Sequence, residues 1–152
     1  MKTSRNLLYS ILIISLFISL FSSCDESPDT YVYLGNQMPK TYIEEIRNLN
    51  LLENNEKIKY FYSDGFYDIK EGFYFVTDQK LVAYNESWEE PETIIFFNEI
   101  ISLDIEYNDS FYEDSFIMLE TTDGMELDFP VSSERKRDKD FYNYLLKKSN
   151  LD

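Results

Sequence analysis

The chain has no histidine, one cysteine, four glycines, four prolines and one tryptophan. Without histidine, imidazole acid–base catalysis and histidine-based metal ligation are excluded. One cysteine cannot close a disulfide within the chain, so thiol pairing gives no reading of the redox compartment. Cations are also scarce: 14 Lys and Arg stand against 29 Asp and Glu, for a net charge of −15. That field repels phosphate backbones and anionic headgroups. It argues against a nucleic-acid partner and against a basic phosphoinositide pocket. Internal repeats and low-complexity tracts are absent.

Aromatic rings are abundant, with 13 Tyr and 12 Phe. Their bulk packs well on a pleated surface, so they favour strands. Hydrophobic residues make up 43% of 152 positions, enough for the core of one domain.

The first residues read as an address. Lys2 and Arg5 give a positive start, and residues 7–21 form an uncharged apolar run of 15 residues. A membrane span needs roughly 20. Ser22, Ser23 and Cys24 follow, which is the anatomy of a secretory leader. Leu20, Phe21, Ser22, Ser23 and Cys24 resemble the bacterial lipoprotein signal, although Phe21 is bulkier than is usual at its place. The resemblance implies a signal peptide over residues 1–23, diacylglyceryl transfer to the Cys24 thiol, cleavage after Ser23 and acylation of the new amino terminus. Each buried acyl CH₂ is worth ~0.8 kcal/mol, so two or three chains anchor firmly. The implied location is the bacterial cell envelope, with the membrane as partner through lipid on Cys24. An uncleaved signal anchor and an ordinary secretory leader are the competing readings. Asp25 and Glu26 come next. An Asp there disfavours release to the outer membrane in enteric lipoproteins, whereas acidic residues there resemble a surface-export signal in other groups. The membrane and its face stay open, periplasmic or surface-exposed. Without Lys2 and Arg5 the mature part holds 12 basic and 29 acidic residues, a net −17.

Residues 24–40, with Pro28, Gly35 and Pro39, read as a lipidated tether, and residues 41–152 as the folded domain. A short helix is expected over residues 41–50. Thr41 and Glu44 suit a capping box, Tyr42, Ile46 and Leu49 share a stripe, and Asn50 suits a left-handed end. Strand signals follow over residues 57–63 and 66–69, around the turn dipeptide Asp64-Gly65. Residues 73–76 and 81–84 flank the polar loop 77–80 as a hairpin, and residues 93–97 form a further apolar run. Ile101, Leu103, Ile105 and Tyr107 alternate with polar residues, the pattern of a half-buried strand. Residues 116–121 and 125–129 join through Thr122-Asp123-Gly124. Ser133 can cap a last helix over residues 134–148, with Phe141, Tyr144, Leu145 and Lys148 on one stripe.

From residue 56 to 148 this order resembles the bacterial pleckstrin-homology-like domains. Thr77-Asp78-Gln79-Lys80-Leu81 is similar to the family's early hairpin. Residues 95–105 are similar to its aromatic strand with a polar break, and Asp123-Gly124 running into a terminal helix is similar to its ending. The resemblance implies a mainly β (α+β) fold: about seven antiparallel strands in two packed sheets, a C-terminal helix and a short N-terminal helix. It also implies a protein-binding or scaffolding role. Lys57 and Lys59 are the only possible remnants of the family's basic loop, so headgroup binding does not follow. A small β-barrel and an open α+β sheet are the competing folds.

No catalytic residues, cofactor or metal are expected. Carboxylates are plentiful, but nothing specifies the cleft, with carboxyls about 5–9.5 Å apart, that a glycosidase needs. Glu89, Glu90 and Glu92, and Asp109, Glu113 and Asp114, lack the loop spacing that calcium requires and read as solvated loops. Residues 134–139, with Arg135, Lys136, Arg137 and Lys139, form the only basic stretch. They read first as a helix start paired with the acidic body, and second as a contact for an acidic partner or lipid headgroups. Tyr60, Phe61, Tyr62, Phe66, Tyr67, Phe73, Tyr74 and Phe75 exceed what one sheet face can hide. Either the strands are buried on both sides, or exposed rings take a glycan or apolar ligand. The expectation is a non-enzymatic, membrane-anchored interaction module with a protein partner; the alternative is a ligand-binding lipoprotein using exposed aromatic strands.

Overall fold

A computed structural model describes residues 31–110 and 113–151; the expected signal peptide over residues 1–23, Cys24 and residues 25–30 lie outside them. The elements run β1 (Tyr33–Leu34), α1 (Lys40–Asn48), β2 (Tyr60–Ser63), β3 (Phe73–Val76), β4 (Lys80–Tyr84), β5 (Glu92–Phe96), β6 (Ile100–Glu106), β7 (Ser115–Thr121), β8 (Glu126–Val131) and α2 (Arg137–Lys148). Short three-ten turns fill Ile69–Glu71, Phe97–Glu99 and Glu134–Lys136. Two antiparallel sheets result, one ordered β1-β2-β3-β4-β5 and the other β6-β7-β8.

Alternation along the strands assigns each ring a side. Tyr62, Tyr74, Val76, Leu81, Ala83 and Ile95 face the second sheet and α2, meeting Ile117, Leu119, Phe129, Val131, Phe141 and Leu145. Phe61, Phe73, Phe75 and Val82 face the other way, under Ile46, Leu51, Leu52 and Ile58 from α1 and its flanks. Every residue of β3 and β4 is therefore buried. Each fully buried apolar side chain contributes about 1.5–3 kcal/mol, which explains the ring-rich composition. The outward side of β6–β8 is mostly acidic, with Asp104, Glu106, Glu120, Glu126 and Asp128 in solvent, but it also exposes Ile101 and Phe116.

Both helices close on their sequence signals. Asn50 is left-handed at φ 61, its amide donates to Arg47 and the Leu51 amide to Ile46. These bonds make the Schellman ending that asparagine permits. Asn150 repeats the device after α2, with Leu151 donating to Leu146. In the β7–β8 turn, Gly124 holds φ 85, a conformation costly for other residues.

Several expectations need correction. The folded body begins before Thr41: Val32 and Tyr33 are buried and β1 pairs with β2, so the end of the expected tether is built into the sheet. This two-residue strand makes eight strands in place of about seven. The capping box at Thr41 and Glu44 is not made, because Pro39 holds the N-cap position and no side chain caps the helix. Residues 66–69 are not a strand. Ser63 pairs directly with Phe73, and side-chain acceptors fold the intervening residues into a closed loop. The last helix starts at Arg137: Arg135 and Lys136 both sit at φ 59, and the Ser133 side chain does not cap. The Ser132 hydroxyl accepts from the Glu134 amide instead.

Candidate functional surfaces at one end of the sandwich

Strand register decides what the N-terminal segment approaches. Tyr33 pairs with Phe61 and Leu34 with Tyr60, antiparallel. Traced backward, Val32 and Tyr31 therefore run toward Ser63, the end of the sheet that carries loop 64–72. The start of α2 lies there too. The Arg137 guanidinium donates to the Val32 carbonyl at 2.6 Å, and that of Arg135 sits 4.4 Å above the Tyr31 ring. The expected basic stretch thus frames the point where the chain enters the fold. Arg135 also pairs with Glu134 at 3.5 Å, and Lys139 lies 5.0 Å from the Tyr107 ring centre. Arg135, Lys136 and Lys139 remain exposed.

Loop 64–72 is a built feature. The Glu71 carboxylate accepts from the amides of Phe66 and Tyr67 at 2.6 and 3.1 Å. Asp68 accepts from the Lys70 amide at 2.9 Å, and Ser63 donates its hydroxyl to the Gly72 carbonyl at 2.7 Å. Lys70 pairs with Glu45 of α1 at 3.5 Å. The tip holds two adjacent rings in the open: Phe66 is 73% exposed and Tyr67 76%, with ring centres 4.7 Å apart. The other six rings of the expected aromatic set are on strands and are buried or half-buried. α1 covers the second face of the β2 and β3 rings, while Phe96 on β5 and Phe116 on β7 are each about half exposed.

Two carboxylates stand at this end, Asp64 opening the loop and Asp114 just before β7. Tyr62 donates to Asp114 at 2.5 Å, and Tyr74 hydrogen-bonds Asp64. Desolvation raises the pKa of Asp114, against the bond from Tyr62. It also raises that of Asp64, with the Asp114 charge adding and the Tyr74 bond opposing. Burial pushes both phenols well above their ordinary value, the neighbouring carboxylates adding. With each acid matched to a phenol, the cluster fastens β2 and β3 to the β6–β7 loop. Sequence reading placed Asp114 in a loop cluster and missed its contact with Tyr62, a pairing across 52 positions that no local pattern signals.

The other expected residues disperse. Glu89, Glu90 and Glu92 are exposed, and Glu113 accepts from the Asn108 side chain at 2.7 Å. Among the described residues no group of three His, Cys, Asp or Glu side chains could hold a metal. None of the described helices is long and apolar enough to cross a membrane. Cys24 falls outside the described residues. Lys57 and Lys59 stand away from the loop, beside a cleft between β1 and α1.

Two antiparallel sheets with a C-terminal helix across them constitute a pleckstrin-homology-like fold. A solved structure agrees: a DUF1696 family protein with a pleckstrin-homology domain from Shewanella loihica matches with a TM-score of 0.54 at 10% identity. The likeness covers 80% of this chain and 99% of that one, and it speaks to the fold alone. No protein-family model matches, and no curated protein does.

Proposed function

We propose that the chain is a non-enzymatic interaction module of the bacterial cell envelope, held to a membrane by lipid on Cys24. The observation that carries this reading is the entry geometry. Six residues lie between Cys24 and Tyr31, and the seven residue steps of extended chain span at most about 25 Å. A lipid on Cys24 would hold the loop end of the sandwich close to the bilayer. Phe66 and Tyr67 suit the interfacial zone, where amphipathic rings collect. Arg135, Lys136 and Lys139 suit its anionic headgroups. The acidic outer face of β6–β8 is then free for a protein partner in the aqueous space.

Metabolic labelling with a palmitate analogue tests the anchor. The intact protein should be labelled and fractionate with membranes, whereas Cys24→Ser should lose the label. Equal labelling and fractionation of both would overturn the reading. Affinity capture from solubilised membranes with the acylated protein then identifies the partner.

A further inference from the structure

A second surface lies at the other end of the first sheet. Leu34, Ile43, Leu52 and Ile58 floor a cleft of about 420 Å³ between β1, α1 and residues 52–59. That size falls within the range of ligand sites. Arg47, Lys57 and Lys59 also line it. Among the described residues none of these three cations forms an ion pair, in a chain whose acids outnumber its bases two to one. The one acid in the lining, Glu56, is engaged elsewhere: it pairs with Lys80 at 3.1 Å and accepts from the Thr77 hydroxyl at 2.9 Å. The wall at Gly35 is fixed, since its amide donates to the Lys59 carbonyl and an added Cβ would sit 1.8 Å from the Ile58 carbonyl oxygen.

From the aliphatic floor and the unpaired cationic rim, we infer that this cleft binds an aliphatic amphiphile with one anionic head, a carboxylate or a phosphate. The chain goes against Leu34, Ile43, Leu52 and Ile58, and the head meets Arg47, Lys57 and Lys59. The protein's overall negative field does not forbid this, because charges beyond about 8 Å are largely screened at physiological salt. Ligand entry is independent of the anchor: the cleft is built from β1, α1 and the segment before β2, and loop 64–72 takes no part.

The test uses the full-length protein in phosphatidylcholine nanodiscs, with isotope-labelled Ile and Leu methyl groups followed by NMR. Hexanoate and hexyl phosphate should shift the methyls of Ile43, Leu52 and Ile58 saturably. Hexanol, which lacks the charge, and acetate, which lacks the chain, should each bind at least about tenfold more weakly. The double variant Lys57→Glu with Lys59→Glu should weaken both anionic probes at least about tenfold while leaving hexanol unchanged. Arg47→Gln provides a milder version that keeps every buried residue. Hexanol binding as tightly as hexanoate, unchanged affinity in the charge variants, or no shift at the cleft methyls would each overturn the inference. The palmitate experiment reads the anchor separately.

Discussion

Arg137 holds Val32 across 105 positions of sequence: its guanidinium meets the Val32 carbonyl at 2.6 Å and the Gln37 side chain at 3.0 Å. Val32 is fully buried, so its carbonyl has lost water and needs this donor. The contact fastens β1, where the chain enters the fold, to the helix that closes it. Arg137→Met should cost about 1.5–3 kcal/mol, the worth of hydrogen bonds to a charged group. Hydrogen exchange should quicken at Gly35 and neighbouring β1 amides and stay slow through β6–β8. Uniform loosening of both sheets would show that the contact is not local.

Lys80 and Glu56 form a buried ion pair at 3.1 Å, with Thr77 bonded to the same carboxylate. This accounts for the hairpin motif Thr77 to Leu81 in physical terms. Thr77 accepts from the amides of Gln79 and Lys80 to make the turn, and the basic residue answers a buried acid. Lys80→Met should cost about 3–5 kcal/mol, because Glu56 would stay buried without its counter-ion. Adding Glu56→Gln should recover most of that loss, since the Thr77 bond survives and the charge is gone. Urea unfolding of the four members of the cycle measures the coupling. Equal costs for Lys80→Met in both backgrounds would mean that the pair is uncoupled.

Asp64 and Asp114 give a pH dependence whose sign is set by their raised pKa values. Between the unfolded value of 3.8 and the higher folded value, the native state binds more protons than the unfolded chain. Stability from these groups therefore falls as pH rises through that window, and the full penalty stands above the folded value. Asp64→Asn with Asp114→Asn should stabilise the domain at pH 7 and make no difference well below pH 3.8, where both carboxyls are protonated in the folded and unfolded chain alike. The gain is modest, because Asp64 still meets solvent. Paired melting curves at pH 7 and pH 3 check it; a larger gain at the acid end would reverse the assignment.

Sequence patterns revealed most of the β core. Leu103 and Ile105, the Thr77 loop and the Asp123-Gly124 turn each carry a local signal, either period-two alternation or turn chemistry, whereas Ile101 and Tyr107 are exposed, the first beside a bulge after Ile100 and the second beyond the strand's end. The misses depend either on distant partners or on side-chain bonds inside a loop. Tyr33 and Leu34 become a strand only because β2 offers an edge, so Gly35 and Pro39 made the segment read as a tether. Phe66 to Ile69 looks like a strand by composition, but Glu71 and Asp68 draw its amides into a loop. Sidedness of the rings was likewise invisible until α1 was placed over Phe61, Phe73 and Phe75. The cleft escaped notice because Lys57 and Lys59 are ordinary surface lysines until Arg47, 10 and 12 positions earlier, is folded beside them.

Glu71 decides whether Phe66 and Tyr67 are a fixed feature or two loose rings. Its Oε2 takes both amide protons at 2.6 and 3.1 Å, while the rings themselves make few contacts with the body. Rings ordered before contact lose less entropy when they seat on a surface, so the pin strengthens any interaction the loop makes. Glu71→Ala should change global stability by no more than about 0.5–1 kcal/mol, since no core group is altered. It should nevertheless speed hydrogen exchange at the Phe66 and Tyr67 amides and raise their fast backbone motion. Adherence of the domain to zwitterionic vesicles should fall in Glu71→Ala, and fall further in Phe66→Ser with Tyr67→Ser. If the two ring substitutions leave adherence intact, the loop is not the part of the sandwich that meets lipid. If Glu71→Ala loosens the amides without weakening adherence, the rings act singly and their arrangement carries no energetic weight.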